Sequence, residues 1–154
     1  MRTLFFTLLF LTLFICFYKV NTLKIIKVIP LWLFAMLITG VIMSSIFMNT
    51  NYITKPKKLD FFLSYVILQN LILPLGILII INVYIKLKVQ FKVSVFIIGT
   101  VILSIVEMFV EQMGVIKYQH WNVWFSLILW FSLIVISIAF YHVINSDSLM
   151  KRSK

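Results

Sequence analysis

The sequence predicts an all-α fold: an integral membrane helical bundle of about five transmembrane helices. Three observations carry that expectation. Of 154 residues, 63% are hydrophobic and 12% charged; the mean hydropathy is +1.13; and the apolar residues fall into five runs, each close to the length of a membrane span. A chain of 18.1 kDa has too little interior to hide so many apolar side chains from water. Long apolar runs also exclude disorder. Hydrocarbon is therefore the expected solvent and the lipid bilayer the first expected partner.

The first run covers about 3–20, is rich in Phe and Leu, and ends at Lys19. Arg2 ahead of it resembles the start of a signal peptide, but no small-x-small cleavage pattern follows. Leu13, Phe14 and the bulky Ile15 before Cys16 make a poor lipoprotein site. An uncleaved first helix is expected. The second run covers about 28–48, with Pro30 in its first turn, where a missing N–H is harmless. The third covers about 60–84; Pro74 should free the Asn70 carbonyl and bend the helix there, and Gly76 leaves room for a close neighbour. The fourth covers about 93–113 and the fifth about 121–142. Short loops make sequential helices antiparallel neighbours. No internal repeat, low-complexity stretch or linker divides the chain, so residues 1–154 are expected to form a single membrane domain.

The net charge is +10. In a soluble domain that excess would point to nucleic acid, but here the basic residues sit in short clusters between apolar runs, as in loops beside anionic lipid. No nucleic-acid partner is expected. Five spans put Arg2, Lys55, Lys57, Lys58 and Lys117 on one side. Lys19, Lys24, Lys27, Lys86, Lys88, Lys92, Lys151, Arg152 and Lys154 fall on the other. The more basic side should face the cytoplasm, which places the N-terminus out and the C-terminus in. Tyr118, Trp121 and Trp124 would form an aromatic belt at one interface, with Tyr84 and Tyr141 marking the other. The lone Cys16 and the lack of CxxC or Cys/His zinc spacing give no support to a disulfide, a metal site or a cofactor.

Polar residues inside apolar runs are the candidates for function. Thr100, Ser104, Glu107 and Glu111 are spaced by four, three and four residues, which puts them on one stripe of the fourth helix, continued by Gly114. That stripe should face the bundle rather than lipid. Residues equidistant from a hairpin's centre lie at equal depth. With centres near Lys88 and Val115, Asn70 is set level with Glu107 and His120 nearly level with Glu111. A polar pocket in the outer half of the membrane is expected from Gln69, Asn70, Ser104, Glu107, Glu111, His120 and Asn122, with Lys117 and Tyr118 at its rim. Plainer roles stand beside it. Glu107 can be a protonated packing residue tied to Asn70, Glu111 can pair with Lys117 or His120 in the headgroup zone, and His120 beside Trp121 can be an interfacial anchor. His120 and His142 are about 30 Å apart along the last helix, too far to share a metal.

The stretch from Val106 to Asn122, with Glu107 and Glu111 ahead of Gly114, then Tyr118, His120 and Trp121, resembles a segment of small uncharacterised multi-pass membrane proteins of spore-forming Gram-positive bacteria. The resemblance covers about a quarter of the chain and implies an integral membrane location, with no activity to carry over. Twelve Lys against two Arg, with many Ile and Asn, are in keeping with an AT-rich bacterial genome and a bacterial cytoplasmic membrane. Three functions fit the pocket. The first is a non-catalytic binding, accessory or sensor component, working with a protein partner or a second copy of the chain. The second is a small transporter or substrate-capturing subunit that uses the acidic pocket. The third is a lipid- or isoprenoid-modifying enzyme with Glu107 and Glu111 as acid and base. The absence of a nucleotide-binding loop, GxSxG or HExxH favours the first.

Overall fold

The computed structural model describes residues 1–49, 53–54, 58–119 and 121–150, and holds five helical spans long and apolar enough to cross a membrane. They are α1 (Arg2–Val20), α2 (Ile25–Asn49), a composite third span, α5 (Lys92–Gln112) and α6 (Val123–Met150). The third span joins α3 (Leu59–Ile67), a π-helical turn (Leu68–Ile72) and α4 (Leu73–Lys86). A 3-10 turn at Val89–Phe91 leads into α5. Two-residue strands β1 (Ile53–Thr54) and β2 (Lys117–Tyr118) pair antiparallel, Ile53 opposite Tyr118 and Thr54 opposite Lys117. This short ladder ties the α2–α3 connection to the α5–α6 connection. The protein is an all-α multi-pass membrane bundle.

In hydrocarbon each backbone N–H and C=O must find its partner within its own segment, so apolar runs of this length become helices. Their outward faces are apolar from end to end: Leu4, Leu8 and Ile15 on α1, Leu37 on α2, and Ile97, Ile105 and Met108 on α5 are all exposed. Water would not leave such continuous apolar faces bare; acyl chains cover them. The core is built on the third span. Leu68, Ile72, Leu75, Ile77, Leu78 and Ile81 are buried, and α4 packs against α1, α2, α5 and α6. From α6, Trp130, Leu133 and Ile134 close the core, and Phe34 of α2 stacks on Phe140 at 3.8 Å between ring centres.

The third span also grips α1 at both ends through polar side chains. The Asp60 carboxylate accepts the backbone N–H groups of Arg2 at 3.4 Å and Thr3 at 3.2 Å, and the Thr3 hydroxyl at 2.5 Å. It serves as a helix N-cap supplied from another helix, where a negative charge also suits the dipole. At the far end the buried Asn82 amide accepts the Thr22 N–H at 3.1 Å and hydroxyl at 2.9 Å, and donates to the Val20 carbonyl at 3.0 Å. The Val20 carbonyl, one of the orphan groups of that helix end, is satisfied there by a side chain of α4.

Local details differ from expectation. The helix of α2 begins at Ile25, since the Lys24 carbonyl accepts Lys27 N–H at 2.8 Å and Val28 N–H at 3.2 Å. Pro30 therefore lies inside the helix and not in its first turn, and one hydrogen bond is missing there. The last helix runs to Met150, well past the expected end near His142. Strain from Pro74 is taken up by the π turn just before it, where the Leu73 N–H reaches back five residues to the Leu68 carbonyl. Tyr118 and Tyr141 do not form a free interfacial belt: Tyr141 is buried and Tyr118 turns inward.

Replacing Asn82 by Ala removes the acceptor of the Thr22 N–H and hydroxyl at this part-buried joint and leaves the Val20 carbonyl to the Lys86 ammonium alone. Thermal unfolding of the Asn82→Ala protein in detergent should show a loss of about 1–3 kcal/mol, with earlier proteolysis at the α1–α2 loop around Lys24. A midpoint equal to that of the parent chain would count against the grip on α1.

Candidate functional site

The polar stripe of α5 lies in the interface with α6. Thr100, Ser104 and Glu107 are 6%, 3% and 4% exposed. Helix α5 stops in a Schellman turn: Gly114 takes φ +71°, its N–H bonds the Glu111 carbonyl at 2.7 Å, and the Val115 N–H bonds the Val110 carbonyl at 3.2 Å. Only glycine adopts that backbone without strain. Val115 and Ile116, the next two residues, are buried to about 1% exposure. Their burial turns the chain back toward the membrane, so that Tyr118 returns to the level of Glu107.

Donors converge on the Glu107 carboxyl. The Tyr118 hydroxyl donates to Oε1, and the Trp130 indole N–H donates to Oε2 at 2.5 Å. The Ser126 hydroxyl, beside the same carboxyl, accepts the Trp121 indole N–H at 2.6 Å. Trp121 lies nearly parallel to Tyr118, with 6.3 Å between ring centres. Burial first, then the nearby carboxyls of Glu107 and Glu111, push the Tyr118 phenol far above the ordinary tyrosine range, with Tyr65 of α3 adding to the effect. Tyr118 therefore keeps its proton and remains a donor at any physiological pH. The phenol and the indole N–H donate and each carboxyl oxygen accepts one of them, so the cluster is matched donor to acceptor. Chemically it is a clasp: one carboxyl on α5 holds the loop through Tyr118 and the last helix through Trp130.

Several candidates are placed elsewhere. Asn70 donates to the Val66 carbonyl of its own helix at 3.0 Å. Gln69 lies beside Gly40 of α2, and its carbonyl is 3.5 Å from the Thr39 hydroxyl. A Cβ on Gly99 would come within 3.0 Å of Ile80, and one on Gly76 within 3.3 Å of Leu103, which fixes the register of α4 on α5. Extended by one turn, that register sets the buried Ile72 opposite Glu107 and leaves Asn70 two residues off the facing row. Glu111 is half-buried, and Asn122 is exposed, with its carbonyl accepting the first N–H groups of α6 from Phe125 and Ser126. His120 lies outside the described residues, as do Lys55, Lys57, Lys151, Arg152 and Lys154.

Trp130, which has no role in the sequence reading, proves central. A hairpin centred two to three residues later than Val115, as the ten-residue connection 113–122 requires, would have set it near Glu107. The Thr100 and Ser104 hydroxyls of the stripe, and that of Ser137 on α6, are buried with no hydrogen-bond partner among the described residues. No group of three or more His, Cys, Asp or Glu side chains suited to a metal occurs among those residues. Comparisons with protein-family models, curated proteins and solved structures find no match to this chain.

Equilibrium unfolding of single variants should rank the clasp. Tyr118→Phe and Trp130→Phe each leave a carboxyl oxygen short of a donor and should cost about 1–3 kcal/mol. Ser137→Ala removes a hydroxyl that has no partner and should be neutral or stabilising. An equal loss from all three would show that the seam senses packing alone.

Proposed function

We propose that the protein is a binding or accessory component of a bacterial cytoplasmic membrane, without chemistry of its own. The Glu107 clasp keeps the 113–122 segment as a preformed face at the membrane surface. The observation that supports this reading most is the occupancy of the carboxyl. Both oxygens of Glu107 are engaged by donors from the chain itself, whereas a group that captures a solute or shuttles a proton needs an open position. Trp124, 70% exposed one turn past the clasp, and Lys117 on β2 give the face an aromatic and a basic contact. A partner protein or a second copy of this chain is the kind of occupant such a face serves. In this reading the N-terminus is outside and the basic Lys88 end faces the cytoplasm.

Transport is the second reading, and one observation favours it. The Ser104 and Thr100 hydroxyls continue the polar stripe away from Glu107 and, with that of Ser137 on α6, have bonding capacity left over, as a water-assisted proton path would require.

Proteoliposomes carrying an imposed pH gradient separate the two. The binding reading expects the gradient to decay at the same rate with parent protein, with Glu107→Gln protein and with empty vesicles. Decay that depends on the parent protein, and vanishes in Glu107→Gln at equal folded protein, would replace binding by transport.

A further inference from the structure

A separate feature, independent of the clasp, occupies the opposite end of the bundle. Lys19, Lys24, Lys27, Lys86, Lys88 and Lys92 gather there, near the ends of α1 and α4 and the starts of α2 and α5. Asp60, Glu107 and Glu111 lie toward the other end, at the start of α3 and in the last two turns of α5, and Asp147, in the last turn of α6, is the one acid of the sequence at this end. Six lysines against one acid leave the Lys88 end net positive.

Some of these lysines are used internally. Lys27 donates to the Asn145 side chain and Lys86 to the Val20 carbonyl. Lys88 is exposed, and the Lys92 ammonium sits 4.6 Å from the centre of the Tyr84 ring, held at the start of α5. Between these two lysines the 3-10 turn opens onto an apolar groove of about 360 Å³ that runs up the lipid-facing side between α4 and α5. Ile79, Val83 and Leu87 form one wall and Ile98 and Ile102 the other. Gly99 is the floor; lacking a side chain, it lets the groove reach to where Ile80 packs. From Phe91 at the mouth to Ile102, eleven residues of helix at 1.5 Å each span about 16 Å, roughly half of a 30 Å hydrocarbon core. That is the reach of one acyl chain within one leaflet.

An apolar trough of single-leaflet length with cations at its membrane-surface end matches the two halves of a phospholipid. The net positive charge of this end matches a net negative headgroup. We propose that this groove binds one anionic phospholipid, with an acyl chain against Gly99 between α4 and α5 and the phosphate held by Lys88 and Lys92. Such a lipid would fill the one side of the α4–α5 pair where the helices leave a trough, and would anchor the basic end at a fixed depth.

Native mass spectrometry of the full chain tests this, with the protein released from micelles containing equimolar phosphatidylglycerol and phosphatidylcholine. The parent protein should retain a single phosphatidylglycerol about tenfold over phosphatidylcholine. The pair Lys88→Gln and Lys92→Gln should abolish that preference. The pair Lys19→Gln and Lys24→Gln, removing equal charge at the same end from outside the α4–α5 pair, should keep it. Ile102→Trp, which fills the groove from its exposed side, should reduce retention of either lipid while size-exclusion and thermal profiles stay at the parent values. The proposal is overturned if the parent protein shows no headgroup preference, or if both lysine pairs lower it equally, since diffuse charge would then suffice. Unchanged retention in Ile102→Trp overturns the acyl-chain placement in the same way.

Discussion

A carboxyl placed inside hydrocarbon cannot be left to solvent, and the arrangement of the last third of this chain follows from how Glu107 is satisfied. Its own helix offers it nothing, because every backbone donor there is already committed to the helical ladder. The partners must come from other segments, and they do: a phenol from the loop and an indole from α6. Satisfying one group therefore fixes the path of residues 113–119 and the rotation of the following helix. The Schellman turn at Gly114 and the burial of Val115 and Ile116 are the local devices that make the return of Tyr118 possible.

The same logic recurs wherever this bundle needs a defined joint. Between apolar helices in lipid, the hydrophobic effect does not choose a register, since lipid tails are as apolar as leucine. Polar side chains and small residues do. Asp60 and Asn82 clamp the two ends of α1, and Gly99 sets how close α4 and α5 come. The π turn before Pro74 shifts the third span by one residue's rotation and releases backbone bonding capacity toward α2 at Thr39. Each joint is a single side chain or backbone exception in an otherwise uniform apolar surface.

This explains which parts of the molecule could be read from sequence. The spans were legible because a run of about 20 apolar residues has one stable form in a bilayer, and the stripe Thr100, Ser104, Glu107 was legible because helical periodicity is set by geometry. Pairings across helices were harder. The level rule depends on where a hairpin turns, and the 113–122 connection is a Schellman turn followed by a strand paired to Ile53 and Thr54, longer than a tight turn. The resulting offset of two to three residues is enough to hide Trp130 behind a plausible but different set of neighbours. For Asn70 the π turn and the register set by Gly99 rotate the side chain away from α5. Asp60 and Asn82 carried no pattern at all: each acts on a helix about 60 residues away in sequence.

Hydrogen–deuterium exchange of the protein in lipid nanodiscs tests the role of Glu107 most directly. If the carboxyl holds the returning loop, the amides of 113–119 are protected in the parent chain. In Glu107→Gln they should exchange at least about tenfold faster, while those of 92–106 on the same helix remain as slow as before. Equal protection of 113–119 in the two proteins would contradict the account, because the loop would then be held by something other than the buried carboxyl.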